Sequence, residues 1–126
     1  DYPELVVALA ETISELPDSD ELARRTGERW GRRLGVELQR KHPGIDLMGA
    51  MTELGFSPVP NGKSSYELRT CPVLVAARRN PKVVCHIHAG LVRALAEPQM
   101  GPVEVELLPL ASPTGCILNL SPRPAA

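Results

Sequence analysis

Apolar positions in the first third of the chain recur at helical spacing. Leu5, Leu9, Ile13 and Leu16 fall at i, i+4, i+8 and i+11, and Pro3 suits a first helical turn, so an amphipathic helix is predicted over 3–16, ended by Pro17. Asp18 and Glu21 stand in capping-box spacing and should start a long second helix. Along it Leu22, Thr26, Trp30, Leu34 and Leu38 form one stripe. Ala23, Gly27, Gly31 and Gly35 form a neighbouring stripe of small residues about 100° round. The remaining face carries Arg25, Glu28, Arg29, Arg32 and Arg33, a pattern that usually faces solvent. His42-Pro43-Gly44 closes the helix, since the residue before proline is driven out of the α region. Asp46 can cap a short third helix reaching Leu54, with Leu47, Met51 and Leu54 inward and Gly55 after its end.

The period then falls to two. Residues 56–59 and 64–69 read as a hairpin around Asn61-Gly62, a pair suited to a type I′ turn, and Pro58 and Pro60 confine the first strand to an edge. Pro72 opens a short helical turn through Arg79. Asn80-Pro81 opens a helix over 81–96, with Val84, Ile87 or His88, Leu91 and Leu95 on its buried side, before a loop over 98–102. Residues 103–108 alternate strictly, and 116–120 form a second apolar strand across a loose loop over 109–115. The fold class expected is α+β: N-terminal helices, then two β-hairpins separated by a helix, in an antiparallel sheet of about four strands. Residues 1–120 should make one domain and 121–126 a tail.

Composition narrows the function. A chain of 126 residues with 43% apolar and 23% charged residues is ordinary for one globular domain, and no apolar run is long enough for a membrane span. No secretory pattern is present, so the three cysteines, an odd number, are expected as reduced thiols or ligands in a cytoplasmic protein. The net charge of −1 argues against a free-standing nucleic-acid binder, and 3% aromatic residues offer no stacking platform. The first residue is Asp1 rather than Met, so the chain is expected to be processed or part of something longer. No Ser-His-Asp order, paired carboxylates, phosphate loop or HExxH points to an enzyme; Cys71 as a nucleophile is the remaining catalytic candidate.

Two features ask for an explanation. Three glycines inside one helix cost about 0.8–1 kcal/mol each relative to alanine, so Gly27, Gly31 and Gly35 should allow a close backbone approach, by a crossing helix of the same chain or across a homodimer. The second feature is the stretch 68–90, which holds two of the three cysteines and two of the three histidines. Cys71, Cys85 and Cys116 lie on separate predicted elements with no CxxC. That pattern excludes a zinc ribbon but still allows three thiols to meet in space as soft ligands, as well as to lie apart as ordinary buried residues. His86 and His88 are two apart on a helix and leave nearly opposite faces, so at most one can join them.

In Leu68-Arg69-Thr70-Cys71-Pro72-Val73 and in the run from Asn80 through Cys85, His86 and Gly90 to Leu95, the chain resembles the C-terminal domain of bacterial ArsR-like or DeoR-like winged-helix transcriptional regulators. These include iron–sulfur-sensing repressors. Segments 26–34, 47–56 and 113–120 carry the same likeness. The resemblance implies a dimeric sensory domain, an N-terminal DNA-binding domain outside these residues, and an iron–sulfur cluster held by Cys71, Cys85 and Cys116. A fourth family cysteine has no counterpart, which leaves His86, His88, a carboxylate or an outside thiol as the last ligand. A small-molecule effector domain with unligated thiols and a pure dimerisation module are the alternatives.

Overall fold

The structure is a computed structural model that describes residues 2–72, 74–109, 111 and 115–123. It has five helices, α1 (Tyr2–Ser14), α2 (Ser19–Lys41), α3 (Leu47–Glu53), α4 (Leu74–Arg79) and α5 (Pro81–Met100). Four strands, β1 (Pro58–Pro60), β2 (Ser65–Leu68), β3 (Val103–Leu108) and β4 (Cys116–Pro122), form one antiparallel sheet in the order β1-β2-β4-β3. The α+β class expected from the sequence is therefore observed. The two hairpins are joined by pairing between β2 and β4, in a register that sets Leu68 opposite Cys116 and Ser65 opposite Asn119.

α2 and α5 make the most extensive helix contact, and its closeness comes from missing side chains. A Cβ on Gly27 would stand 2.0 Å from the Ile87 carbonyl oxygen, and one on Gly90 would stand 2.1 Å from that of Arg24. A Cβ on Gly31 would stand 2.7 Å from that of Ala94 and 2.8 Å from the Leu91 carbonyl oxygen. Gly27 and Gly31 are thus taken up by a crossing inside the chain, one of the two arrangements expected of them. Gly35 has only ordinary contact with Leu95. Ala23, Gly27 and Gly31 are buried while Trp30 is 41% exposed, so the small stripe of α2 faces the protein and part of the large one faces outward. Half-buried Arg93 braces the same crossing, 3.3 Å from Glu28 on α2 and 3.3 Å from Glu97 on its own helix.

α1 departs from its predicted face in the same way. Val7 and Ala10 are buried, whereas Leu5 and Leu9 are more than half exposed. The smaller side chains let α1 approach α4 and α5, and the leucine stripe is left without cover. Asp18 sits in the left-handed region at φ 55° and makes no side-chain cap bond. The tight link from α1 into α2 thus replaces the expected capping box. Asp46 does cap α3, accepting from the Gly49 amide at 2.8 Å.

Other boundaries move at prolines. α5 runs through Pro98 to Met100 and ends at Gly101, whose N–H reaches the Glu97 carbonyl, so the expected loop starts late. β4 continues to Pro122 because β3 pairs with it as far as Val103↔Pro122; Ser121 and Pro122 therefore belong to the sheet, and residues 124–126 of the expected tail lie outside the described residues. The first hairpin pairs Pro60 with Tyr66, so Asn61-Gly62 lies in a longer connection with positive φ at Gly62 and Ser64 instead of a two-residue turn. β2 begins at Ser65, whose hydroxyl donates to Asn119 of β4.

The interior has two parts. Met51, Leu91 and Leu118 centre one, between α3, the C-terminal half of α5 and the sheet; Val7, Ala23 and Val83 centre the other, between α1, α4 and the start of α5. Cys71 packs against both.

Candidate functional site

The three cysteines come from three kinds of local structure. Cys71 is half-buried in the turn from β2 to α4, its carbonyl accepting from the Leu74 amide at 3.2 Å. Asn80 caps α5 through its side chain on the Val83 amide, and Pro81 starts the helix. Cys85 then faces inward one turn later. Cys116 opens β4 beside Leu68 and is buried. A side chain at Gly115 would strike the Leu68 carbonyl at 1.9 Å, so glycine there is what lets β4 begin against β2. None of the three forms a disulfide.

Cys85 lies in one half of the core and Cys116 in the other, with Cys71 packed against both. Burial, and then the nearness of Cys116 and Cys71, push the Cys85 thiol up to about 12. Cys85 is therefore a neutral thiol at ordinary pH, with a neighbouring sulfur on each of two other elements. Among the described residues no group of three or more His, Cys, Asp or Glu side chains could hold a metal ion.

The two histidines part company as their spacing requires. His88 is buried, its ring 4.9 Å from that of Phe56 in an edge-to-face contact, and burial pushes it down to about 4. His86 stays on the rim, its Nδ1 against the Lys82 carbonyl and 3.9 Å from Asp20. Of the two, His86 shares a cleft wall with Cys85.

Two openings flank the packed pair α2 and α5. A groove of about 710 Å³ runs between α2, the end of α5 and the start of α3, past Gly35, Val36, Ile45 and Leu95. A smaller cleft of about 280 Å³ lies between α2, the first turns of α5 and β3, with Cys85 in its wall beside Arg24, Lys82 and His86.

No helix is long and apolar enough to cross a membrane among the described residues. Comparison of the chain with family models, curated proteins and solved structures found no match.

Proposed function

We propose that this chain is the sensory and dimerisation domain of a bacterial transcriptional regulator, responding to an iron–sulfur cluster through Cys71, Cys85 and Cys116. What supports the reading is packing: Cys71 packs against both halves of the core, one of which holds Cys85 and the other Cys116. The donor set suits a soft, thiophilic group. Metal–sulfur bonds of about 2.3 Å hold the thiolates of a single ion within about 4 Å of one another. A cluster is a body of several atoms and would take thiolates standing farther apart than a single ion does.

When bound, the cluster supplies a redox-sensitive bridge between thiolates. The chain supplies the rest. Cys71 touches both halves of the core, Cys85 belongs to one and Cys116 to the other, so holding the three together ties the start of α5 to the sheet. Cys85 must lose its proton to become a ligand, so uptake weakens as pH falls. His86 is the histidine placed on a wall shared with Cys85; His88 is engaged with Phe56.

Dimerisation belongs to the same proposal. With Gly27 and Gly31 occupied internally, Gly35 and the groove beside Val36, itself 73% exposed, are the part of α2 that a second copy would cover. By the resemblance, DNA would be read by a winged-helix domain of the full regulator, whose spacing the dimer would set. The groove also favours a second reading, a small-molecule effector domain with unligated thiols. Anaerobic reconstitution with ferrous iron and sulfide separates the two. A brown protein carrying iron and acid-labile sulfide is expected, and a colourless, iron-free one would sink the cluster reading.

A further inference from the structure

Two helix faces are left without cover, and their chemistry is complementary. On α1, Tyr2, Leu5 and Leu9 follow one another at helical spacing and are 84%, 53% and 55% exposed. Glu4 and Glu11 run beside them, also exposed, and Glu15 follows at the end of the helix. Arg79 of α4 is the one cation that reaches these acids among the described residues, 3.5 Å from Glu4 and 3.4 Å from Glu11. One arginine shared by two carboxylates, with Glu15 in no ion pair, leaves this face negative.

α2 turns the opposite charge outward. Arg25, Arg29, Arg32 and Val36 recur at spacings of four, three and four on the side away from Gly27 and Gly31, and all four are exposed, Val36 by 73%. Arg25 lies 3.8 Å from Glu21. Arg29, Arg32 and the adjoining Arg33 make no ion pair among the described residues. Glu28 is turned to Arg93, and Glu37 is held by Arg40 and Lys41, so neither acid of α2 beyond Glu21 offsets them. The segregation runs through the sequence: no lysine or arginine precedes Arg24, and from there to Lys41 arginines outnumber acids.

Neither face can satisfy the other within one chain. α1 buries Val7 and Ala10, α2 buries Ala23, Gly27 and Gly31, and each turns its charged side outward. We infer that a second copy of this chain covers both: the leucine stripe and acids of α1 in one protomer lie along the arginine face of α2 in its partner, and two-fold symmetry repeats the contact. Arginine stems are apolar enough to lie on leucines while their guanidinium groups reach the carboxylates. The lengths agree, since the 13 residues of α1 span about 20 Å and the stretch from Arg25 to Val36 about 17 Å. A foreign partner would have to supply both complements, which this chain already carries. The inference rests on the dimerisation proposed above and names the segment that would cover the rim of the groove, where Arg32 and Val36 lie.

Sedimentation equilibrium tests it. The unsubstituted chain should dimerise, more weakly as salt is raised. Leu5→Ser/Leu9→Ser and Arg29→Glu/Arg32→Glu should each weaken the dimer about tenfold or more, while far-ultraviolet circular dichroism stays unchanged because all four positions are exposed. Glu15→Arg should weaken it as well. Mixed with the Arg29→Glu/Arg32→Glu chain, the Glu15→Arg chain should recover association. The mixed dimer sets reversed charge against reversed charge at one contact and native against native at the other, an outcome that loss of folding does not mimic. A chain that stays monomeric at about 100 μM would give both faces to other proteins and overturn this contact and the dimer reading together. Dimerisation undiminished by the leucine and arginine substitutions, or no recovery in the mixture, would overturn this contact alone and leave the dimer to another face.

Discussion

Substituting Gly27 by alanine should destabilise the protein even though alanine is the better helix former. In an isolated helix the change gains about 1 kcal/mol. Here the new Cβ would stand 2.0 Å from the Ile87 carbonyl oxygen and 2.9 Å from the Leu91 amide nitrogen, where ordinary contact begins at 3.4 Å. Both neighbours are backbone, so no rotamer change relieves the clash, and α2 must move off α5 by about 1.4 Å at that point. Overpacking of this kind costs about 1–3 kcal/mol and more when backbone must yield. A net loss of about 2 kcal/mol is expected. Gly35 is the control on the same helix: its Cβ would meet only the Leu95 Cδ2 at 3.6 Å, so Gly35→Ala should stabilise by about 0.5–1 kcal/mol. Urea unfolding followed by far-ultraviolet circular dichroism reads both. With a slope of about 1–2 kcal/mol per molar, the Gly27→Ala midpoint should fall by about 1–2 M while that of Gly35→Ala rises. Equal midpoints for the two variants would refute the close crossing.

Other outcomes follow from buried groups. His88 titrates near 6.5 when unfolded and about 4 when folded, so the stability it confers is complete above about pH 6.5 and is lost as pH falls through 4. At pH 5 the loss is about 2 kcal/mol, and His88→Leu should flatten that part of the stability profile. Cys85 has the opposite sign. Its folded pKa of about 12 lies above the unfolded thiol's, so stability declines as pH rises from about 9, less steeply in Cys85→Ala. Iodoacetamide at neutral pH should label half-buried Cys71 before Cys85 or Cys116, a site order that peptide mass mapping gives. Arg93→Met should cost about 1 kcal/mol in urea unfolding, since it releases Glu28 and leaves Glu97 with Arg123.

Much of the fold was legible because strong punctuation agrees with periodicity. Asp46 and Gly55 bracket α3, Asn80-Pro81 starts α5, and the alternation of 103–108 becomes β3. Faces were harder to read than elements. On α1 the largest apolar side chains suggested the buried side, yet close helix packing selected Val7 and Ala10 over Leu5 and Leu9, while on α2 the glycines announced a close crossing without naming α5 as its partner. Local pattern ranks residues by hydrophobicity, whereas a backbone crossing ranks them by size, and that ranking emerges only when a partner helix is present. The thiols show the same limit. Spacing could name Cys71, Cys85 and Cys116, but their approach depends on β2 pairing with β4 across about 50 residues, a long-range register that no local signal contains.

The most direct test of the central claim is the iron and acid-labile sulfide content of the anaerobically reconstituted chain compared with its Cys116→Ser variant. Cys116 is the sulfur most distant in sequence, brought in only by the sheet. If the three thiols act as one centre, the unsubstituted chain takes up iron and sulfide together and Cys116→Ser loses both. Uptake that persists undiminished in Cys116→Ser, or an unsubstituted chain that stays free of iron, would contradict it.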